Sequence, residues 1–399
     1  MNNALTTAAL QPGLFSAAAS ARPTPPRPEK DPPIPEKIDP DLATILSWKR
    51  PHGSSAETSF QVWLAKRLAK MGAKHTLKAG NMVVEIPRGD KTPAAVLFSC
   101  HIDTVHRLRE DEPVKQKLLY DAQFGHIFLD QKDPSAGNCL GADDGVGVWI
   151  MLRMIEARVP GAYVFHRGEE CGGIGSSAMV SQESAWLKRF KLAVAFDRPD
   201  NYEVIITQGG QECASRGFGA ALAEALMAAG DGCLKYEVST RGVFTDTKNY
   251  RRLISECVNV GVGYQDQHSK DEFLDYGHAH ALMSACLKLD WSALEGKAQR
   301  DPTAPEIPRF GGLKSDRAWL DEWEPARPRP AAKAPPAPKK KKEPLSLMEE
   351  LDAGLLRPDD LELLASESPE EVARLVVDLY LRARQAETAA ETLRAFLDI

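Results

Sequence analysis

Between residues 38 and 313 the chain alternates short apolar runs with stretches whose apolar side chains recur at helical spacing. "ETSFQVWLAKRLAKMG" carries the i, i+3, i+4 rhythm of an amphipathic helix. "NMVVEI", "AAVLFSCH" and "GHIFLD" read as strands, the second of them buried. The pattern then predicts a helix over "DGVGVWIMLRMIEARV", a strand over "AYVFH", a helical stretch over "SSAMVSQESAWLKRF" and strands over "LAVAFD" and "YEVIITQ". A helix over "AALAEALMAAG", a strand over "ECVNVGVGY" and a closing helix over "DEFLDYGHAHALMSACLKL" follow. Strands alternating with helices imply an α/β domain of three layers, α/β/α, around a central, mostly parallel mixed sheet. In such sheets functional groups gather at the carboxyl ends of the strands.

The flanks obey no such pattern. Residues 1–37 are rich in Pro and Ala ("ARPTPPRPEKDPPIP") and cannot bury a core, so they are expected to be a disordered tail. The faint signal-like start, "MNNALTTAALQPGLFSAAASARP", lacks a basic n-region and is broken by Pro12-Gly13, which also favours a tail. Residues 314–344 are a Pro/Lys-rich linker, and residues 345–399 a helical appendage in which Ser368, Pro369 and Glu371 form a helix start. The appendage is a candidate for binding an unidentified protein partner.

Charge and composition narrow the function classes. With 50 Lys and Arg against 56 Asp and Glu the net charge is −6, and no folded stretch carries a dense basic face, which argues against a nucleic-acid partner. No run reaches the apolar length of a membrane span. The seven cysteines are scattered without a CxxC pair, which suits free thiols in a reducing cytoplasm.

The carboxyl-end rule then acts as a filter. His101 and Asp103 follow "AAVLFSC"; Asp143 and Asp144 precede a helix in "LGADDG"; Glu169 and Glu170 follow "AYVFH"; Asp197 ends "LAVAF"; His268 follows "ECVNVGVGYQDQ". Taken singly, each has a plainer reading as a surface pair, a helix cap or an Asx-turn. Together, so many carboxylates on one rim would repel each other without a cation. Carboxylates mixed with imidazoles suit zinc or a similar divalent metal, and two metals sharing a bridging carboxylate would absorb this charge. One of the adjacent glutamates could then ligate metal while the other faces the substrate side.

"SCHIDTV", "GADDGVGV", "GEECGGIGS", "AFDRPD" and "GYQDQHSKDE", in that order, resemble the co-catalytic di-zinc exopeptidases of the aminopeptidase S and Y type and, more distantly, peptidase T and glutamate carboxypeptidase. The likeness runs from about Phe60 to Leu289. It implies two divalent ions, zinc first, with cobalt or manganese as alternatives. His101 and Asp197 would hold one, Glu170 and His268 the other, and Asp143 would bridge both. Asp103 would orient His101, and Glu169 would be the general base that takes a proton from the bridging water and passes it to the leaving amine. Asp246 in "VFTDTKNY" resembles a recurring Thr-Asp near the substrate pocket; its plainer reading is a helix cap. About seventy residues between Asp197 and His268 leave no room for an inserted lid domain, which favours the single-domain aminopeptidase-like form.

Two departures bear on substrate. Gln267 stands where related aminopeptidases can carry an oxyanion-stabilising Tyr, so Tyr264 or main-chain N–H groups become candidates for that task. Arg198 after Asp197 could shape the pocket for an acidic group. The leading expectation is an aminopeptidase acting on peptides. The alternatives are a di-metal deacylase on N-acyl amino acids, a carboxypeptidase or dipeptidase, and a catalytically silent binding scaffold.

Overall fold

Apolar side chains alternate in their facing along the central strands. The computed structural model describes residues 27–109 and 112–304, so the linker and the appendage with Ser368 lie outside the described residues. In chain order the elements begin with α1 (Pro40–Leu46), α2 (Ser55–Lys70), β1 (His75–Lys78), β2 (Asn81–Ile86), β3 (Val96–His101), β4 (Leu118–Asp121) and β5 (His126–Leu129). Then come α3 (Ala142–Glu156), β6 (Gly161–His166), α4 (Ile174–Gln182), α5 (Ser184–Leu187), β7 (Leu192–Arg198), β8 (Glu203–Ile205), β9 (Thr207–Gln208) and β10 (Gln211–Glu212). The described chain closes with α6 (Arg216–Ala229), β11 (Glu237–Ser239), α7 (Asp246–Tyr250), β12 (Glu256–Gly261), β13 (Tyr264–Gln265), β14 (Phe273–Asp275), α8 (Tyr276–Lys288) and α9 (Trp291–Glu295).

The large sheet has the order β1-β2-β6-β3-β7-β12-β8-β11. β6, β3, β7 and β12 run parallel, while β1, β2 and the β12–β8 pairing add antiparallel edges. Because side chains alternate along a strand, Val84, Phe98, Val194 and Val258 join one core with residues of α1, α2, α3, α6, α8 and α9. Their neighbours Val83, Leu97, Ala193 and Cys257 join a second core with α4, α5 and α7 on the opposite face. These are the three layers that the alternation of strands and helices implies. The stretch between Asp197 and His268 adds β8 to β13 with α6 and α7, most of it to the large sheet, and no lid.

Local chemistry sets the boundaries. Ser54 caps α2 by accepting from the Glu57 N–H, and Glu57 reaches back to the Gly53 N–H, a variant of the capping box. "DEFLD" is not helix: Phe273–Asp275 is β14, and Asp275 caps α8 by accepting from the His278 N–H. "YEVIITQ" divides into β8 and β9, the second pairing with β10. A small antiparallel sheet, β13-β14-β5-β4, stands apart from the large one and contains the expected strand "HIFL". Residues 27–37 run irregularly over the domain: the Lys30 N–H donates to Gly232 O at 3.0 Å, and Pro35 O accepts from the Tyr120 hydroxyl. All seven cysteines are free thiols. Among the described residues no helix is long and apolar enough to cross a membrane.

Candidate metal centre

Three adjacent parallel strands build one wall of the site. β3 ends in His101, which pairs in register with His166 on β6. β7, on the other side of β3, carries Asp197 near its end. β6 continues through Arg167 and Gly168 into the turn that holds Glu169 and Glu170. That turn depends on its glycines in two ways. Gly172 and Gly173 adopt φ of +89° and +70°, open to glycine without strain. Gly175 instead lies against Arg167 and Asn81, where a Cβ would collide with both.

The Asp143–Asp144 pair divides its labour. Both residues have non-helical dihedrals within α3, so the regular helix starts beyond them. Asp144 is the cap: its Oδ1 accepts from the Gly147 N–H at 2.9 Å and its Oδ2 from the His101 N–H at 3.2 Å. Asp143 points outward. Its Oδ1 lies 3.0 Å from His101 Nε2 and its Oδ2 3.2 Å from His268 Nε2. Asp197 Oδ1 stands 3.5 Å from His101 Nε2, and Glu170 Oε1 stands 3.0 Å from His268 Nε2. Glu169 diverges from Glu170 and turns its Oε2 toward His101 Nε2, at 4.0 Å.

His268 arrives differently from the other five. The strand expected to deliver it, β12, stops at Gly261; the imidazole sits instead between β13 and β14, on the small sheet's hairpin. Its φ of +63° is rare for a residue with a side chain. The structure thus brings His101, Asp143, Glu169, Glu170, Asp197 and His268 together. Three overlapping donor groups result: His101 with Asp143 and Asp197, Asp143 with Glu170 and His268, and His101 with Glu169 and Glu170.

Asp103 supports this group from behind, with its main chain toward His101 and its side chain toward the glutamate turn. His101 Nδ1–H donates to the Asp103 carbonyl at 3.0 Å, which leaves Nε2 facing the acids, while the Asp103 carboxylate is 3.7 Å from Nδ1. The carboxylate's two oxygens accept from the Glu169 and Glu170 N–H groups, each at 3.2 Å. Asp103 therefore ties the histidine to the double-glutamate turn.

The protein's own charges are ill-matched here. Burial, then the nearby Asp197, Asp246 and Asp143, raise Glu169 despite His101. Burial likewise raises Asp197. His101 is raised in turn, because Asp197 and Asp143 outweigh its own burial. Among the described residues the ion-pair partners of Asp143, Glu169, Glu170 and Asp197 are the two imidazoles. Divalent cations fit this donor set: oxygen and imidazole donors from separate elements converge, and the opposing protonation demands are those a metal charge relieves.

Several contributors were not legible beforehand. Thr245 donates its hydroxyl to Asp197 Oδ2, and Asn259 on β12 brackets the Asp197 main chain, accepting from its N–H at 2.9 Å and donating to its carbonyl at 2.7 Å. A polar residue inside the buried run "ECVNVG" was the available signal for Asn259. Asp246 is not the cap of α7; Thr245 holds that position. Asp246 is buried, with Oδ2 3.3 Å from His166 Nδ1 and Oδ1 without a hydrogen-bond partner among the described residues. Arg198 does not await an acidic group: its guanidinium pairs with Glu203 at 2.6 Å. The Tyr264 hydroxyl donates to Asp197 Oδ1 at 3.4 Å, and the residue is almost wholly buried.

Comparison with known proteins adds a family match. Residues 81–228 match the model of Peptidase family M28. This stretch, a little over a third of the chain, is similar to Peptidase family M28. With that match the chain is a metallo-exopeptidase, a metal-dependent hydrolase of peptide bonds, and the matched stretch contains every residue of the donor set except His268. Similar solved structures include the aminopeptidase PepT of Bacillus cereus ATCC 10987, at 12% identity, covering 65% of this chain and 97% of that one with a TM-score of 0.47. A tripeptidase of Staphylococcus aureus subsp. aureus Mu50 has 14% identity, coverage of 64% and 97%, and a TM-score of 0.47. An aminopeptidase of the archaeon Desulfurococcus kamchatkensis has 14% identity, coverage of 65% and 94%, and a TM-score of 0.46. No curated protein matches the sequence.

Proposed function

We propose that this protein is an aminopeptidase that works with two divalent metal ions, zinc in the first place. The observation that carries this reading is Asp143, whose two oxygens face two different imidazoles, each attended by its own second carboxylate. His101 and Asp197 would hold one ion, His268 and Glu170 the other, with Asp143 shared. Ions seated there supply Lewis acidity toward the scissile carbonyl and acidify water.

The chain's own residues do the rest. Glu169, beside both donor groups and ligating neither in this scheme, takes the proton of the attacking water and delivers it to the leaving nitrogen. Asp103 fixes the Glu169 and Glu170 main chain and so sets the distance between base and ligand. The rim's surplus of acid supports a substrate with a free amine over one with a free carboxylate, and Arg198, the cation next to Asp197, is paired with Glu203.

The test is full-length protein loaded with zinc and offered matched peptides with free and acetylated N-termini, with metal content measured by elemental analysis. Two equivalents of metal and release of N-terminal residues from the free peptides alone are expected. Glu169→Gln is expected to keep both metals and lose at least a hundredfold in kcat. Preference for the acylated substrate would move the assignment to a deacylase. Full turnover by Glu169→Gln with normal metal content would remove the base from the scheme.

A further inference from the structure

Glu272 lies four residues beyond His268, on the approach to β14, and is almost wholly buried. Its carboxylate accepts four consecutive main-chain N–H groups. Oε2 takes those of Leu140 and Gly141, at 2.8 and 3.1 Å, and Oε1 takes those of Ala142 and Asp143, at 2.8 and 3.2 Å. The same segment is gripped from its other side by Arg50, which is fully buried. Arg50 donates to the Gly141 carbonyl at 3.4 Å, and to the carbonyls of Ile102 at 2.7 Å, Ile45 at 2.6 Å and Trp48 at 3.1 Å.

A buried carboxylate is expensive and needs strong compensation. Helix capping does not account for it, because Asp144 already caps the regular part of α3 through Gly147. What Glu272 immobilises is the loop before that helix, ending at the N–H of Asp143.

We propose that Glu272 is a positioning residue for metal binding. It locks the Leu140–Asp143 main chain at the one setting from which the Asp143 side chain faces His101 and His268 together. The inference rests on the two-metal reading above. It also gives the stretch after His268 a task of its own: one segment brings a ligand and, four residues later, the clamp that aims the shared ligand.

Zinc binding to the full-length chain, measured by equilibrium dialysis with metal analysis, tests this on the wild type, Glu272→Gln and His101→Ala. The Gln amide offers one acceptor oxygen and turns an NH2 donor on two of the four N–H groups. Both zinc equivalents are therefore expected to bind at least tenfold more weakly, with the circular dichroism spectrum unchanged. A carboxylate with a merely structural role would lower the thermal midpoint and leave the zinc affinity of the folded protein at the wild-type value; that result overturns the proposal. If Glu272→Gln does not fold, Glu272→Asp, one methylene short but still charged, takes its place under the same two outcomes. Wild type that binds no zinc would sink the two-metal reading, and the positioning role with it. Wild type and Glu272→Gln binding two equivalents equally tightly, with His101→Ala impaired, would sink the positioning role alone.

Discussion

Thr245 donates its hydroxyl to Oδ2 of Asp197 at 2.6 Å, so that Oδ1 is the oxygen turned toward His101. A hydrogen bond to a carboxylate restricts how that group rotates. Thr245→Val keeps the shape and removes the donor. The expected result is zinc binding weakened about tenfold and stability lowered by about 1.5–3 kcal/mol. Competition with a chromophoric chelator and urea denaturation measure the two; unchanged zinc affinity would show that Asp197 keeps its orientation without the Thr245 hydroxyl.

Gly175 gives a steric prediction. Its α-carbon lies where a methyl would press on the Arg167 main chain and on Asn81, whose side chain donates to Gly175 O at 3.0 Å and accepts from the Arg167 N–H at 3.1 Å. Gly175→Ala is expected to cost about 1–3 kcal/mol and to lower kcat through the displaced Glu169–Glu170 turn. Gly172→Ala meets no neighbour within 4 Å but is strained by its φ of +89°, so it should lose stability with little loss of kcat. Thermal melts and kinetics on both variants separate packing from backbone strain.

Glu57 sets an acid limit on stability. Burial alone would raise its carboxyl, but hydrogen bonds from His52, Arg167 and Gly53 outweigh that and hold it at about 2, below the ordinary value of 4.5. Because the folded value is depressed, this contribution is complete above about pH 4.5 and fades as the pH falls toward 2. Glu57→Gln is expected to be less stable than wild type at pH 7 by about 2 kcal/mol. That gap should narrow between pH 4.5 and 2, read from denaturation curves across the window. A gap independent of pH would assign the loss to packing.

Metal removal should register in the melt. A ligand bound only to the folded state stabilises it by about 4 kcal/mol at a thousand times its dissociation constant. Chelation is expected to lower the thermal midpoint and zinc to restore it, while Asp143→Asn should erase the difference between the two conditions.

Much of the centre could be read from the chain because strand periodicity marks where strands end, and the acids and imidazoles stand at those ends. His101, Glu169, Glu170 and Asp197 follow from that rule directly. Strand ends do not distinguish Asp143 from Asp144, identical side chains that take opposite roles according to which one the helix start requires; the family resemblance alone singles out Asp143. Thr245, Asn259 and Glu272 escaped because their partners lie 48, 62 and about 130 residues away and two of them act on main-chain groups, which carry no sequence signature. The sequence starts α8 too early because "FLD" fits a strand or a helix equally well until its pairing with β5 is known.

The origin of His268 on the small sheet has a mechanical consequence. The other donors sit on the large sheet, in the turn that follows its strand β6, or at the start of a helix packed against it, whereas His268 hangs from a hairpin and its side chain is nearly half exposed. An ion shared by Asp143, Glu170 and His268 would be a rivet between two separately hydrogen-bonded sheets. Drawing that rivet should loosen one side of the joint: amide exchange is expected to quicken in β13 and β14 on chelation, while β3 and β7 hold their protection.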